Sequence, residues 1–324
     1  MRESGLPRPF DYGNENLALA KPPSPTRPNL KDERKAALDL LLRDAIRALP
    51  AYFTTETFIE GIDAADLFAL NSSLGGTIEN QVVETLNAIR KVWDPDGEWT
   101  EYRFERRSQS FPDVRLVARK GEKIETAVGI ELKGWYLLSK ESEPSFRYTV
   151  TPAACAENDL LVIVPWRLKN ALSGRPMIHP PFIESARYAA EARNHWWRHI
   201  RDAKTDTGIQ PPANANPYPN SKSGINDQPK SDKGGNFGRV ARLGLAELDQ
   251  FIIRSIEEPV AGIAAKNWIA FFKTFTDSRD ADQAWEKIRS LLDRRMAARE
   301  SESERVEALM RELIDTLSET RKNH

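Results

Sequence analysis

Two periods organise the chain, and the switch from one to the other marks its centre. Ala37, Leu38, Leu41, Leu42, Ala45, Ile46 and Leu49 recur at three and four residues, which predicts an amphipathic helix closed by Pro50. A second stripe, Ile78, Val82, Leu86, Ile89 and Trp93, predicts a helix capped by Thr77 and ended by the Asp-Pro-Asp-Gly turn at 94–97. The period then falls to two. Val114 to Lys120 and Ile124 to Lys133 read as a β-hairpin around the three-residue loop Gly121-Glu122-Lys123. Alternation sets Ile124, Thr126, Val128, Ile130 and Leu132 on one face of the second strand, and Glu125, Ala127, Gly129, Glu131 and Lys133 on the other. A short helix follows at "TPAACAEND", feeding a continuous apolar run from Leu160 to Trp166 that reads as a strand buried on both faces. A helix from about Ile183 to His199 completes the order αββαβα. This order predicts an α/β fold, a central mixed sheet flanked by helices.

Away from this centre the pattern weakens. Residues 1–29 hold six prolines and predict an extended arm that adds little to the core. Between Asp202 and about Asn236, Pro, Gly, Asn, Ser and Lys displace apolar residues over a length uncommon inside a compact domain. Such a segment is either a target-binding loop or a disordered one. The chain then returns to helix, ending in a stripe of Val306, Leu309, Met310, Leu313 and Leu317 that packs in this chain or against a partner. The expected division is an arm at 1–29, a core at 30–245 with a long loop at about 202–236, and a helical region at 246–324.

Composition narrows the classes. The 324 residues are 40% hydrophobic and 29% charged, ordinary for a globular chain, and the net charge of −1 gives no global basic field. No apolar run approaches the ~20 residues of a membrane span, and "MRESGLPRPFDYGN" lacks the apolar core of a secretory signal, so a cytoplasmic protein is expected. Cys155 is the one cysteine, which excludes an internal disulfide or a multi-thiolate metal site and reads as a small buried apolar residue. With four histidines, any metal is expected to be held by carboxylates.

Those carboxylates stand on the hairpin. In the three-residue-loop register Lys120 pairs with Ile124, Asp113 lies opposite Glu131, and their Cβ atoms are roughly 5 Å apart. Like charges directly opposite are destabilising, so a cation is expected between them. A two-residue loop would shift the pairing by one. Lys133 points the same way, and the alternative reading is a solvated strand carrying opposite charges.

Pro112-Asp113 and Glu131-Leu132-Lys133 resemble the Pro-Asp…(Asp/Glu)-X-Lys signature of the restriction-endonuclease-like nuclease superfamily. The hairpin lies between an upstream helix and a downstream helix–strand pair, as that core requires. "PAACAENDLLVIVPW" is similar to the segment after the lysine in some type II restriction enzymes, and "YAAEARNHWW" resembles the next helix, so the resemblance covers roughly residues 75 to 200. It implies a restriction-endonuclease-like core with helical N- and C-terminal additions. It further implies that Asp113 and Glu131 bind Mg²⁺, and that Lys133 helps orient or activate the attacking water and offsets charge on the scissile phosphate. The family often adds an acid from the preceding helix. Glu79, about 60° from the centre of the apolar stripe, suits that role better than Glu84 at about 160°. A carboxylate complementing the helix dipole is the other reading of Glu79.

The implied function is a metal-dependent endonuclease acting on double-stranded DNA, a sequence-specific type II restriction enzyme, since the chain extends well beyond the core. Symmetric cutting implies a homodimer, with the 306–317 stripe as interface, and a cognate DNA methyltransferase as genetic partner. The 204–236 segment is then expected to order on DNA. A repair, recombination or other defence nuclease on the same core is the enzyme alternative, and a non-catalytic DNA-binding protein with a degenerate nuclease fold is the other. Arg239 and Arg242 in "GGNFGRVARLG" are further candidate DNA contacts, although no nucleotide-binding fingerprint is present. His195 and His199 are spaced for a metal pair but lack a Glu in the metalloprotease arrangement and a third ligand. Tyr188, Trp196 and Trp197 read as packing aromatics.

Overall fold

In the computed structural model, residues 22–62, 66–107, 110–201, 206–232, 234–278 and parts of 282–293 are described. Helix α1 (Glu33–Tyr52) opens where the Asp32 carboxylate accepts the Lys35 amide at 3.1 Å, and it buries Leu38, Leu42, Ala45, Ile46 and Leu49. Pro50 does not end it. A proline in the last turn removes one amide where the helix is already closing, and the chain runs on to Tyr52. Helix α2 (Leu70–Ala88) starts upstream of Thr77 and passes through Gly75 and Gly76, because Leu70 and Leu74 pack on the same core as Ile78 and Val82. After a break at Ile89, α3 (Arg90–Trp93) carries the stripe to the buried Trp93.

Six strands form one mixed sheet: β1 (Arg103–Arg106), β2 (Val114–Lys120), β3 (Lys123–Tyr136), β4 (Leu160–Leu168), β5 (Pro176–Ile178) and β6 (Phe182–Ser185). The order is β1-β2-β3-β4-β5, with β6 also on β4, and only β3 and β4 run parallel. The sheet is thus mixed and flanked by helices, as the pattern predicts. β1, β5 and β6 are too short to show a period. Because Phe182–Ser185 pairs with β4, the helix expected from Ile183 begins only at α4 (Ala186–His195), where the Ser185 hydroxyl accepts the Tyr188 amide at 3.3 Å. The short helix expected before β4 is a 3₁₀ turn, Pro152–Ala154.

The sheet separates two apolar cores. On one side α1, α2 and α3 cover Val114, Leu116, Ile130 and Leu132; on the other α4 covers Phe111, Trp135 and Leu137. β4 feeds both, Leu160, Val162 and Val164 one way and Leu161 and Ile163 the other, as expected of a strand buried on both faces.

The long segment contains the small pair β7 (Ile209–Gln210) and β8 (Gln228–Pro229), and beyond it come α5 (Ala246–Glu257), β9 (Pro259–Val260), β10 (Ile263–Ala264) and α6 (Ala265–Thr276). Leu248 of α5 joins the second core, and Ile269 and Phe272 of α6 join the first, so this part is built onto the core. The stripe from Val306 to Leu317 and residues 1–21 of the arm lie outside the described residues. The rest of the arm is docked: Arg27 donates to Glu184 at 2.8 Å and stacks over Tyr188 at 4.6 Å. Among the described residues no helix is long and apolar enough to cross a membrane.

Where it is described, the 206–236 stretch packs against the core. Beside the isolated apolar anchors Ile209 and Ile225 its fixed points are polar, and these leave no apolar period. Asp227 and Arg193, each 1% exposed at the side chain, pair at 2.5 Å, and the Tyr218 hydroxyl donates to Asp159 at 2.8 Å while its ring lies under Arg115.

The hairpin departs from expectation twice, and the departures cancel. Lys120 pairs with Lys123, so the loop has two residues, Gly121 and Glu122. Between Val117↔Thr126 and Leu116↔Val128 the register then shifts by one, with Ala127 as the extra residue. From there Val114 pairs with Ile130, and one step further Asp113 meets Glu131. The bulge also reverses the alternation beyond it, so Ile124 is exposed rather than packed. Asn158 and Asp159 satisfy the backbone beside the bulge: Asn158 Nδ2 donates to the Ala127 carbonyl at 2.6 Å, and the Gly129 amide donates to Asp159 Oδ1 at 2.7 Å. A Cβ on Gly129 would stand 2.3 Å from Pro112 Cγ and 2.7 Å from Asp159 Oδ1. Gly129→Ala is therefore expected to destabilise the protein by about 1–3 kcal/mol in urea unfolding, by overpacking the residue that seats the turn before Asp113. An unchanged midpoint would contradict this packing.

Candidate active site

Asp113, Glu131 and Lys133 meet at the end of β2 on the face that carries the second core. Lys133 Nζ lies 2.8 Å from Asp113 Oδ2 and 2.8 Å from Glu131 Oε1. The cation expected between the carboxylates is, in the protein itself, this ammonium. The Arg107 amide donates to the Asp113 carbonyl at 2.6 Å, fixing the residue just outside the strand.

One ammonium shared by two carboxylates leaves a net negative charge in a nearly closed site. Glu131 carries the consequence. Its side chain is 9% exposed, and among the described residues its buried Oε2 has no hydrogen-bond partner. Burial, with Asp113 adding repulsion, pushes its pKa up to about 7 against the opposing pull of Lys133. Burial works against the Lys133 charge too, but Glu131 and Asp113 more than offset it and hold the lysine protonated well above its ordinary range.

Glu131 opens onto a cavity of about 240 Å³ whose lining includes Ser110, Arg147, Thr149, Lys222 and Asn226. Two segments distant in sequence form much of this wall. Val150 bridges to Asn226, the Asp227 amide donates to the Thr149 carbonyl at 2.9 Å, and the Thr151 amide to the Ile225 carbonyl at 2.7 Å. Arg193 ties them to α4, donating to the Tyr148 and Val150 carbonyls at 2.9 and 2.8 Å and to Asp227.

Asp113 and Glu131 together offer the oxygen donors that a hard divalent cation takes, and the unpartnered Glu131 Oε2 is the atom such a cation would satisfy. The donor set therefore fits Mg²⁺ completed by water or phosphate oxygens. Among the described residues no group of three or more His, Cys, Asp or Glu is placed to hold a metal. Glu79 is not brought onto the pair: its carboxylate bonds Arg106 at 3.0 Å and accepts the Gly134 amide at 3.4 Å, one residue beyond Lys133.

The weaker candidates make contacts within the protein. Arg239 reaches back to the Gly235 carbonyl at 3.4 Å, and Arg242 donates to Asn236 Oδ1. The glycines beside them serve packing: Gly238 has φ +75°, and a Cβ there would stand 2.8 Å from the Tyr148 carbonyl. Amides of that turn are taken by Asp232, which accepts from Asn236 and Phe237 at 2.7 and 3.2 Å. His195 and His199 face one another with ring centroids 5.2 Å apart and no third ligand joins them among the described residues. Cys155 is fully buried against the Tyr148 hydroxyl, as its isolation predicts. Trp197 is buried too, edge-on to Phe237.

Sequence reading missed Arg147, Asn158, Asp159, Arg193 and Asp227. Asn158-Asp159 directly before the apolar strand is the one local signal, polar side chains where a strand begins. Nothing local joins Arg193 to Asp227. No family model, no curated protein and no solved structure matches the chain, so its functional reading rests on these residues and their geometry.

Glu131 gives the metal-free protein a distinctive pH dependence. A carboxyl whose folded pKa is raised favours the folded state while protonated, a contribution complete below about 4.5 and lost as pH rises through about 7. Glu131→Gln, which stays neutral, should therefore be the more stable form at pH 8 by about 3 kcal/mol, with the difference vanishing towards pH 4. Parallel urea melts at the two pH values measure this. Equal stability at pH 8 would mean that Glu131 is hydrated.

Proposed function

We propose that the chain is a metal-dependent endonuclease that hydrolyses phosphodiester bonds of double-stranded DNA on a restriction-endonuclease-like core, a type II restriction enzyme acting as a sequence-specific homodimer beside a cognate DNA methyltransferase.

 The observation that carries this reading is the Asp113–Lys133–Glu131 cluster, two opposed carboxylates and an ammonium within 2.8 Å of both, with an unpartnered Glu131 oxygen and a cavity rimmed by Arg147 and Lys222. A structural ion pair needs one carboxylate per cation. The second carboxylate, buried at a cost, is what a metal site requires and a stabilising salt bridge does not.

Each residue has a task in this reading. Asp113 and Glu131 would hold Mg²⁺, which when bound supplies Lewis-acid stabilisation of charge on the phosphate. Lys133, kept protonated by its two neighbours, donates to the negative charge that grows on the phosphate and is unsuited to act as the base. Phe111 and Trp135, both buried on this face, limit the water around the ammonium and strengthen its field. Glu79, held by Arg106 and the Gly134 amide, steadies the strand just past Lys133.

Alanine substitution tests the assignment. Asp113→Ala, Glu131→Ala and Lys133→Ala should each lower Mg²⁺-dependent cleavage of duplex DNA by far more than tenfold, about 1.4 kcal/mol of barrier, while DNA binding measured in Ca²⁺ survives Lys133→Ala. A variant that keeps its activity within tenfold removes that residue from the site. If all three do so, the nuclease reading fails.

A further inference from the structure

The cross-strand pair next to the two carboxylates is held from outside the sheet. Arg115 pairs with Gly129, so the pair stands two residues after Asp113 on β2 and two before Glu131 on β3. Tyr218, which belongs to the 206–236 segment, reaches both members. Its hydroxyl donates at 2.8 Å to Asp159 Oδ1, the same oxygen that accepts the Gly129 amide at 2.7 Å. Asp159 is fully buried, and its Oδ2 accepts the Ala156 amide at 2.8 Å, which fixes the carboxylate. The Tyr218 ring faces the Arg115 guanidinium, 4.7 Å from the ring centroid, while Arg115 donates at 2.6 Å to the Phe111 carbonyl, two residues before Asp113. Tyr218 takes this place under strain. Its φ is +58°, a left-handed value that crowds a side chain, and it precedes Pro219, where extended backbone is favoured. Such strain persists where surrounding contacts over-determine it, and it gathers at functional sites.

We propose that Tyr218 is a positioning residue for the carboxylate pair: by gripping Arg115 and, through Asp159, Gly129, it holds Asp113 and Glu131 at the separation that a divalent cation needs. The assignment rests on the reading of that pair as a metal site. It gives the 206–236 segment a function, because the segment must be seated for Tyr218 to reach the hairpin. Coupling of this kind is reciprocal: whatever factor Tyr218 adds to metal affinity, bound metal adds to the seating of Tyr218.

The test is Mn²⁺ binding, read by electron paramagnetic resonance, because carboxylates suit Mn²⁺ as they do Mg²⁺. It compares the full-length parent with Tyr218→Phe, Tyr218→Leu and Asp113→Ala, and Asp113→Ala identifies the Mn²⁺ that sits on the pair. Tyr218→Phe keeps the ring over Arg115 and loses the hydroxyl, whereas Tyr218→Leu loses both. The dissociation constant should rise about threefold in the first and about tenfold in the second. Tyr218→Phe, short of one oxygen only, carries the test alone if Tyr218→Leu does not fold. Hydrogen exchange of the amides around Tyr218 should slow in saturating Mn²⁺ in the parent, and less so in Tyr218→Phe. A residue that only stabilised the fold would lower the urea midpoint and leave both readouts at parent values. If the parent binds Mn²⁺ through Asp113 and cuts duplex DNA in Mg²⁺, while every Tyr218 variant that folds keeps an affinity within about twofold of the parent, the positioning role is overturned and the nuclease reading stands. If the affinities fall as stated but the parent cuts nothing in Mg²⁺, the positioning role stands and the nuclease reading falls. A parent that binds no Mn²⁺ through Asp113 overturns both.

Discussion

One lysine ammonium shared between two carboxylates sets the character of this site. The face of the sheet around it is apolar, with Phe111, Trp135, Leu161 and Ile163 in its core. Charges there are poorly hydrated, and two acids against one base cannot be neutral while all three are ionised. Glu131 resolves the imbalance by holding its proton up to about pH 7. A divalent cation, which also brings charge to the unpartnered oxygen, resolves it differently, and on this account the protein carries the unfavourable arrangement because it is completed by metal and phosphate.

Much of the scaffold keeps these groups in register. A bulge in β3 moves Glu131 opposite Asp113 after a turn that would otherwise have set the pair one residue apart. Side chains of Asn158 and Asp159 take the backbone groups beside that bulge, and Gly129 lets Pro112 approach. On the far side of the cavity Arg193 and Asp227 fasten two remote segments with a fully buried ion pair. Buried pairs contribute little net stability against apolar packing, but they fix one geometry, because either partner alone is a costly buried charge. Polar anchors at both walls suit a cavity that has to keep a fixed shape.

The sheet, its mixed character and the facing of the catalytic candidates were legible because they depend on period. Val114 to Lys120 and Leu160 onward show clear strand patterns, and the acid pair stands where a simple register puts it. That success has two causes that cancelled: the turn is one residue shorter than expected, and the bulge restores the difference. Bulges leave no periodic mark, so the agreement at Glu131 came without knowledge of Ala127. Helix limits at Pro50, Thr77 and Ile183 shifted because core packing by Leu70 and strand pairing by Phe182 outweigh local stop signals. The 206–236 segment was least legible, since Asp227 and Tyr218 anchor it through partners far away in sequence, Arg193 and Asp159.

The most direct measurement is digestion of a long duplex of known sequence by the purified parent protein in Mg²⁺, with EDTA and Ca²⁺ as controls and the ends of the products sequenced. The account calls for metal-dependent breaks in both strands, recurring at discrete positions. Duplex left intact in Mg²⁺ from pH 6 to pH 9, at protein concentrations that bind it, would contradict the account at its centre.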